Sequence, residues 1–166
     1  MQQLNIKILN DIIWEKPNPP PNLLCKYFTH SPEIIVCAAK SAKSKHAFNY
    51  DTMRKINCGK QMKNVLRLSA PGPEEKEFGK HPTQKPLHLL ERIITASANE
   101  HNLIFDPFAG SGTTGVPATA LNRNFIGFEL SQEYVTVAQK RLFAVIKAKF
   151  QNLNFLGKSD FKEINF

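Results

Sequence analysis

The chain has 166 residues, of which 42% are hydrophobic, and a formal net charge of +8. This length is enough for one domain with its own core, and a charge of this size favours a polyanionic partner. No apolar run approaches the roughly 18 residues that a membrane span needs. The three cysteines have no C-x-x-C spacing, which predicts reduced thiols rather than a metal site or disulfides. We therefore expect a soluble cytoplasmic protein without a metal ion.

Two strands are predicted in the first forty residues. Residues 4–14 alternate loosely and carry four isoleucines, and residues 33–39 are rich in β-branched side chains. Four prolines between positions 17 and 21 end the first strand, because proline cannot donate to a strand ladder. The two strands together would form an antiparallel hairpin at the edge of a sheet.

A basic segment follows at residues 40–78. It has no sustained hydrophobic period, and residues 40–67 hold eight cations against one acid. Aromatic and amide side chains, such as those of Phe48, Asn49 and Tyr50, alternate with the lysines. This mixture suits lysine contacts to DNA phosphates and amide contacts to base edges. A solvated basic loop is the competing interpretation.

A helix is predicted over residues 83–98. Leu87, Leu90 and Ile94 fall on one apolar face of it. The ring of Pro86 fits only near the first helical turn, and Thr83 is a candidate for the N-cap.

The run DPFAGSGTTG at residues 106–115 predicts a ligand-binding loop. It lies between an apolar stretch at residues 103–105, which predicts a buried strand, and a predicted helix at residues 113–121. Glycines let the backbone approach a ligand, and a helix N-terminus offers free N–H groups. The spacing G-x-G-x-x-G from Gly110 also fits a dinucleotide site, so spacing alone leaves the cofactor open. Pro117 is unfavourable in that helix unless the helix begins late.

Acidic residues follow the predicted strands on either side of this loop. Asp106 would repel a pyrophosphate but tolerate a cationic or hydroxyl-rich ligand. Glu129 lies 23 positions later, after a predicted strand at residues 125–128, and is placed to accept ribose hydroxyls. A last helix is predicted over residues 131–148, with Ser131 as its N-cap.

Three segments together resemble a known family: DPFAGSGTTG at 106–115, GKHPTQKP at 79–86 and DIIWEKPN at 11–18. The first resembles the S-adenosylmethionine (SAM) loop of DNA amino-methyltransferases, which modify adenine N6 or cytosine N4. The second resembles the other SAM-side motif of that family. Because it precedes the loop, the chain is similar to the circularly permuted group in which the catalytic half comes first.

This resemblance implies an α/β fold, namely a three-layer SAM-dependent methyltransferase (Rossmann-like) fold with a mostly parallel sheet that is incomplete on its N-terminal side. Residues 1–166 would form one methyltransferase-like domain, with residues 40–78 as a DNA target-recognition insertion. Phe108 would lie beside the adenine of SAM or, alternatively, in the core. The expected SAM-binding residues are Asp106, Phe108, Gly110, Gly112, Thr113 and Glu129, with Thr83, Gln84 and Lys85 facing the methionine end.

The Asp-Pro-Pro-Tyr loop, which carries catalysis in the family, is not found in this chain. The string NPPP at residues 18–21 begins like it, but Pro21 has no aromatic ring to stack on a flipped base. No catalytic residue is therefore predicted, and the chain resembles the C-terminal portion of such an enzyme.

Three functional hypotheses follow. The first is a part of a site-specific adenine-N6 methyltransferase that acts on double-stranded DNA with an upstream catalytic polypeptide; cytosine N4 is the alternative target. The second is a non-catalytic SAM- or DNA-binding remnant. The third is a nicotinamide-linked Rossmann protein. An unpaired sheet edge would also favour a homodimer or poor solubility.

Overall fold

The computed structural model describes residues 6–155. No helix within this range is both long and apolar enough to cross a membrane. A single 3₁₀ turn occupies Glu74–Lys76. The other elements are, in chain order, β1 (Lys7–Glu15), β2 (Pro32–Ala39), α1 (Tyr50–Ile56), β3 (Val65–Arg67), α2 (Leu87–Ser97), β4 (Leu103–Asp106), α3 (Gly115–Ala120), β5 (Asn124–Gly127) and α4 (Gln132–Phe155).

The first sheet has the strand order β2-β1-β3. Strands β1 and β2 are antiparallel, with Lys7 opposite Ala39 and Glu15 opposite Pro32, so the predicted hairpin is confirmed. Strand β3 runs parallel to β1. It lies inside the basic segment and was missed, because three residues are too short to show a strand period.

The second sheet contains β4 and β5, which are parallel. The core beside the first sheet is formed by Trp14, Leu66 and Leu89, of which Leu89 is 1% exposed. The indole N–H of Trp14 donates to the carbonyl of Leu68 at 2.7 Å. This cluster fixes α2 against the first sheet, while α2 also contacts α3 beside the second.

The helix predicted over residues 83–98 begins four residues late, at Leu87. Lys85 precedes a proline, which disfavours the helical backbone there, and Pro86 itself is extended. The carboxylate of Glu75 accepts the N–H of Leu87 at 2.9 Å, so it satisfies a free donor of the first turn. The N-cap prediction for Thr83 is therefore wrong.

The strand predicted at residues 103–105 is confirmed as β4, but the prediction that it is buried is wrong. Phe105 of β4 is 58% exposed, and Leu103 is exposed to a similar extent. Within the described residues β4 pairs with β5 alone. On the first sheet, Ile34 is likewise 69% exposed. One face of each sheet thus presents apolar side chains to solvent.

The two C-terminal helices also differ from their predicted bounds. Helix α3 begins at Gly115, so Pro117 is its third residue, where a backbone N–H has no intrahelical acceptor. The proline is therefore tolerated. Helix α4 begins directly after Ser131, as predicted, but continues to Phe155, seven residues past the predicted end. Lys149 in that extension donates to the carbonyl of Thr119 at 2.8 Å.

Candidate functional site

The glycine loop, residues 106–115, connects β4 to α3 at the carboxyl end of the second sheet. Gly110 and Gly112 have φ values of +54° and +74°, a region that disfavours residues with a Cβ. A Cβ on Gly112 would lie 2.9 Å from that of Ala138 in α4, and one on Gly110 would lie 3.1 Å from Nε2 of His81. The loop is therefore a closely packed bend of bare backbone.

Asp106 stabilises the start of this bend. Its Oδ1 accepts the N–H of Phe108 at 3.0 Å, and its Oδ2 accepts the hydroxyl of Thr114 at 2.6 Å. Both carboxylate oxygens thus have a partner inside the loop. Any ligand contact would use the lone pairs that remain.

Glu129 joins the end of β5 to the glycine loop. Its Oε2 accepts the N–H of Gly110 and its Oε1 that of Ser131, both at 2.9 Å. The Ser131 N–H, and after it that of Gly110, hold the pKa of Glu129 below its usual range, although desolvation acts in the opposite direction. Nearby His81 adds a smaller effect of the same sign as the N–H groups. The carboxylate stays ionised and faces the bend.

Replacing Glu129 by glutamine is expected to reduce stability at neutral pH. The pKa of Glu129 is lower in the folded than in the unfolded chain, so its contribution is present above the unfolded value and is lost as the pH falls through the folded one. The melting temperatures of wild type and Glu129→Gln should therefore converge in acid. Glu133→Gln, an exposed change in the first turn of α4, is the control and should melt close to wild type. A constant difference across the pH range would contradict this assignment.

Arg141, on α4, is 5% exposed and lies under the loop. Its Nη1 donates to the Ser111 carbonyl at 2.8 Å, and to the hydroxyls of Ser111 and Thr113 at 3.1 Å each. Burial lowers the pKa of the guanidinium, and the charge of Glu75 opposes that effect. Sequence reasoning missed this residue. The sequence does contain a signal for it. Arg141 lies seven positions after Tyr134, so it falls on the helix face that was otherwise predicted to be apolar.

The turn at residues 81–86 contacts the loop through Gln84. The Gln84 amide nitrogen donates to the Glu75 carbonyl at 2.9 Å, and its oxygen accepts the Ser111 hydroxyl at 3.3 Å. His81 packs edge-on against Tyr134, with ring centroids 4.3 Å apart. Gln84 therefore acts as a brace between the turn and the loop.

Lys85 and Thr83 lie farther along the same turn. Lys85 Nζ is 3.0 Å from a carboxylate oxygen of Glu33 and donates to the Thr83 carbonyl at 3.1 Å. Glu33 also pairs with Lys16 at 2.8 Å. Desolvation raises the pKa of Glu33, but the two lysines outweigh it and hold the pKa low. The exposed Thr83 hydroxyl lies 3.5 Å from Nδ1 of His81. The turn is thus linked to the first sheet as well as to the loop.

Two exposed apolar side chains flank the bend. Phe108 is 87% exposed, so the alternative that placed it in the core is wrong. Leu130, directly after Glu129, is fully exposed and was missed. These side chains can offer apolar contact to a planar ring. Among the described residues, no group of three or more His, Cys, Asp or Glu side chains could hold a metal ion.

The basic segment presents its charge to solvent. The eight cations of its residues 40–67 are all exposed, as DNA-phosphate contacts require. Asn49 differs from its predicted use, because its amide donates to the carbonyls of Thr95 at 2.8 Å and Ala98 at 3.1 Å. Asn49 therefore fixes α1 to the end of α2. The eight exposed cations are Lys40, Lys43, Lys45, Arg54, Lys55, Lys60, Lys63 and Arg67.

Comparison with known proteins identifies the family to which this chain belongs. Residues 1–140 match the family model described as DNA methylase, N6_N4_Mtase. The chain therefore belongs to the DNA methylase family, and the predicted resemblance is confirmed.

Individual relatives agree with this assignment. The chain is 51% identical over 154 residues to the type II methyltransferase M2.MboI of Moraxella bovis, covering 91% of this chain and 56% of that protein. It is 55% identical over 145 residues to M2.DpnII of Streptococcus pneumoniae, covering 87% and 54%. The crystal structure of an M1.HpyAVI–SAM complex matches with a TM-score of 0.71 at 36% identity, covering 85% of this chain and 65% of that one.

These matches confirm the predicted α/β methyltransferase fold class. The chain spans about half the length of the curated relatives it matches.

Proposed function

We propose that this chain is the SAM- and DNA-binding portion of an adenine-N6 DNA methyltransferase acting on double-stranded DNA. The observation that carries the proposal is the 2.9 Å hydrogen bond from the Gly110 N–H to Glu129, which joins the ends of two parallel strands around a bend of bare backbone. A carboxylate in that position suits ribose hydroxyls. The match to a relative solved as a SAM complex supports the same cofactor here.

The residues around the bend fit the parts of SAM. Glu129 would accept the ribose hydroxyls with its remaining lone pairs. Gly110 and Gly112 would shape the bend that receives the ligand, since their positive φ and the close packing against His81 and Ala138 both exclude a Cβ. The exposed ring of Phe108 would pack against the adenine. SAM, when bound, supplies an electrophilic methyl group.

The methionine end of SAM would face the turn at residues 81–86. There Thr83 is exposed, and the ammonium of Lys85, which also pairs with Glu33 and donates to the Thr83 carbonyl, would supply a cation for the carboxylate. Gln84, Thr113 and Asp106 already have partners inside the protein, so we expect their main effect to be on the position of the loop.

Catalysis requires acceptors that polarise the target amine, and we propose that an upstream polypeptide supplies them with the family's Asp-Pro-Pro-Tyr loop.

In the described residues, β2 and β4 each have one unpaired edge, and one face of each sheet exposes apolar side chains. Such edges and faces favour the addition of further strands and helices. A homodimer is the alternative way to cover them. The protein would act in the cytoplasm.

Cofactor binding and complementation test this proposal. By calorimetry the full chain is expected to bind SAM and not NAD, which also tests the nicotinamide alternative. Alone it should transfer no methyl group to duplex DNA. With a separate polypeptide that carries the family's Asp-Pro-Pro-Tyr loop added, we expect labelled N6-methyladenine; the same polypeptide without that loop is the control.

Three outcomes would change the assignment. Preferential NAD binding, or no SAM binding, would contradict the proposed cofactor. N4-methylcytosine as the product would assign the alternative target base. SAM and DNA binding that never yields methylation would favour a non-catalytic remnant.

A further inference from the structure

The ammonium of Lys85 is held at two points, although 40% of its side chain is exposed. Its Nζ lies 3.0 Å from Oε2 of Glu33 and donates to the Thr83 carbonyl at 3.1 Å. An ammonium has three N–H donors. Within the described part of the chain these two acceptors use two of them, so the third donor can bind a ligand.

Glu33 connects Lys85 to the first sheet. It lies on β2 directly opposite Trp14 of β1, and its Oε1 pairs with Lys16 at 2.8 Å. The Lys16 side chain is only 18% exposed, and its ammonium lies 5.1 Å from the centroid of the Trp14 ring. A cation is attracted to the face of such a ring. One oxygen of Glu33 is thus anchored on the sheet, and the other is presented to Lys85.

The charges of this cluster do not cancel. Lys16, Glu33 and Lys85 are two cations and one anion, which leaves a net charge of +1. Without Lys16, the carboxylate of Glu33 would neutralise Lys85. With Lys16 present, Glu33 can hold Lys85 in place while the cluster still attracts an anionic group. A lysine side chain is long and flexible, so fixing it before the ligand arrives lowers the entropy cost of binding.

We propose that Glu33 is a positioning residue that holds the Lys85 ammonium in place for the carboxylate at the methionine end of SAM. This inference rests on the proposed function, which supplies SAM and places its methionine end at the turn of residues 81–86. It adds a residue of the first sheet to the determinants of cofactor affinity, and it gives Lys16 the task of keeping the cluster positive.

The test compares two ligands by calorimetry with the full chain. SAM carries the amino-acid end, whereas 5′-methylthioadenosine has the same adenosine and sulfur without it. Glu33→Gln should weaken SAM binding by about fivefold and leave the affinity for methylthioadenosine unchanged. Lys85→Met should weaken SAM binding by about tenfold with the same selectivity. A moderate, fixed ionic strength screens the repulsion between the Glu33 charge and the ligand carboxylate, so the loss of positioning decides the result.

A double variant tests whether Glu33 acts through Lys85. In the Lys85→Met background, Glu33→Gln should cause no further loss of SAM affinity. Glu15→Gln is the matched control. Glu15 is a carboxylate of the neighbouring strand β1, is exposed to a similar extent and pairs with Arg67 at 3.9 Å, away from the turn. This variant should bind SAM as wild type does.

Three results would overturn the inference while wild-type SAM binding upholds the proposed cofactor. A higher SAM affinity of Glu33→Gln would show that Glu33 competes with the ligand for Lys85. Equal losses for SAM and methylthioadenosine would show that the cluster only stabilises the fold. Additive losses in the double variant would show that Glu33 does not act through Lys85. If wild type itself does not bind SAM, the proposed function is wrong and the inference falls with it.

Discussion

Gly112→Ala is expected to remove SAM binding and to destabilise the fold. Gly112 has a φ of +74°, and the new methyl group would lie 2.9 Å from Cβ and 3.1 Å from Cα of Ala138. The second of these is a backbone atom of α4, so a side-chain rotation cannot relieve the overlap. The glycine loop must shift, and a shift of about 1 Å is enough to lower function by a factor on the order of 100.

Calorimetry with SAM and thermal unfolding measure the two effects of this change. We expect an affinity loss of about 100-fold or more and a destabilisation of about 3 kcal/mol, from backbone strain together with overpacking. For a chain of this length the melting temperature should fall by roughly 10 °C.

Gly59 provides a matched control. Its φ is +78°, close to that of Gly112, but a Cβ there would meet no atom within 4 Å. Gly59→Ala should therefore incur the backbone strain of about 1 kcal/mol without the overlap, and SAM affinity should be unchanged. Equal effects of the two substitutions would show that strain, rather than contact with α4, explains the glycine at position 112.

Arg141→Met is the second change with a large expected effect. It removes three hydrogen bonds from Nη1 and leaves the buried Ser111 carbonyl without that donor. An unsatisfied buried group costs about 1 to 3 kcal/mol, and the relief of burying a charge offsets part of the total. We expect a net destabilisation of about 1 to 2 kcal/mol and an affinity for SAM that is lower by at least about tenfold.

Thermal unfolding and calorimetry again measure both effects. Lys140→Met is the control, because it removes the same charge from the neighbouring, exposed position of α4 and should change stability by less than about 0.5 kcal/mol. If Arg141→Met keeps wild-type stability and SAM affinity, the guanidinium does not hold the loop in place.

The parts of the fold that could be predicted from sequence depend on neighbours in the chain. The glycine loop, the strand before it and Glu129 belong to one unit of two strands joined by a helix, β4–α3–β5, whose residues are close together in the sequence. The β1–β2 hairpin could also be predicted, because its strands are rich in β-branched residues. Helix bounds were less accurate, because the start of α2 depends on Pro86 and on the distant carboxylate of Glu75.

The parts that could not be predicted depend on contacts between distant segments. The place of Arg141 on the apolar face of the last helix is a local signal of burial, but it does not indicate that the partner is Ser111, 30 positions earlier. Similarly, the pairing of Lys85 with Glu33 crosses from one motif to another. The exposure of Phe105 depends on which elements cover the second sheet. The three apolar residues 103–105 do not indicate what covers the strand that they form.

The double hydrogen bonding of Glu129 limits how this protein can evolve. One carboxylate receives the N–H of Gly110 in the glycine loop and that of Ser131 immediately before α4. A substitution that tuned ligand affinity at this position would at once loosen the start of the longest helix. Selection on affinity must therefore act through other positions, such as Phe108 and Leu130, whose exposed side chains can vary with little cost to folding.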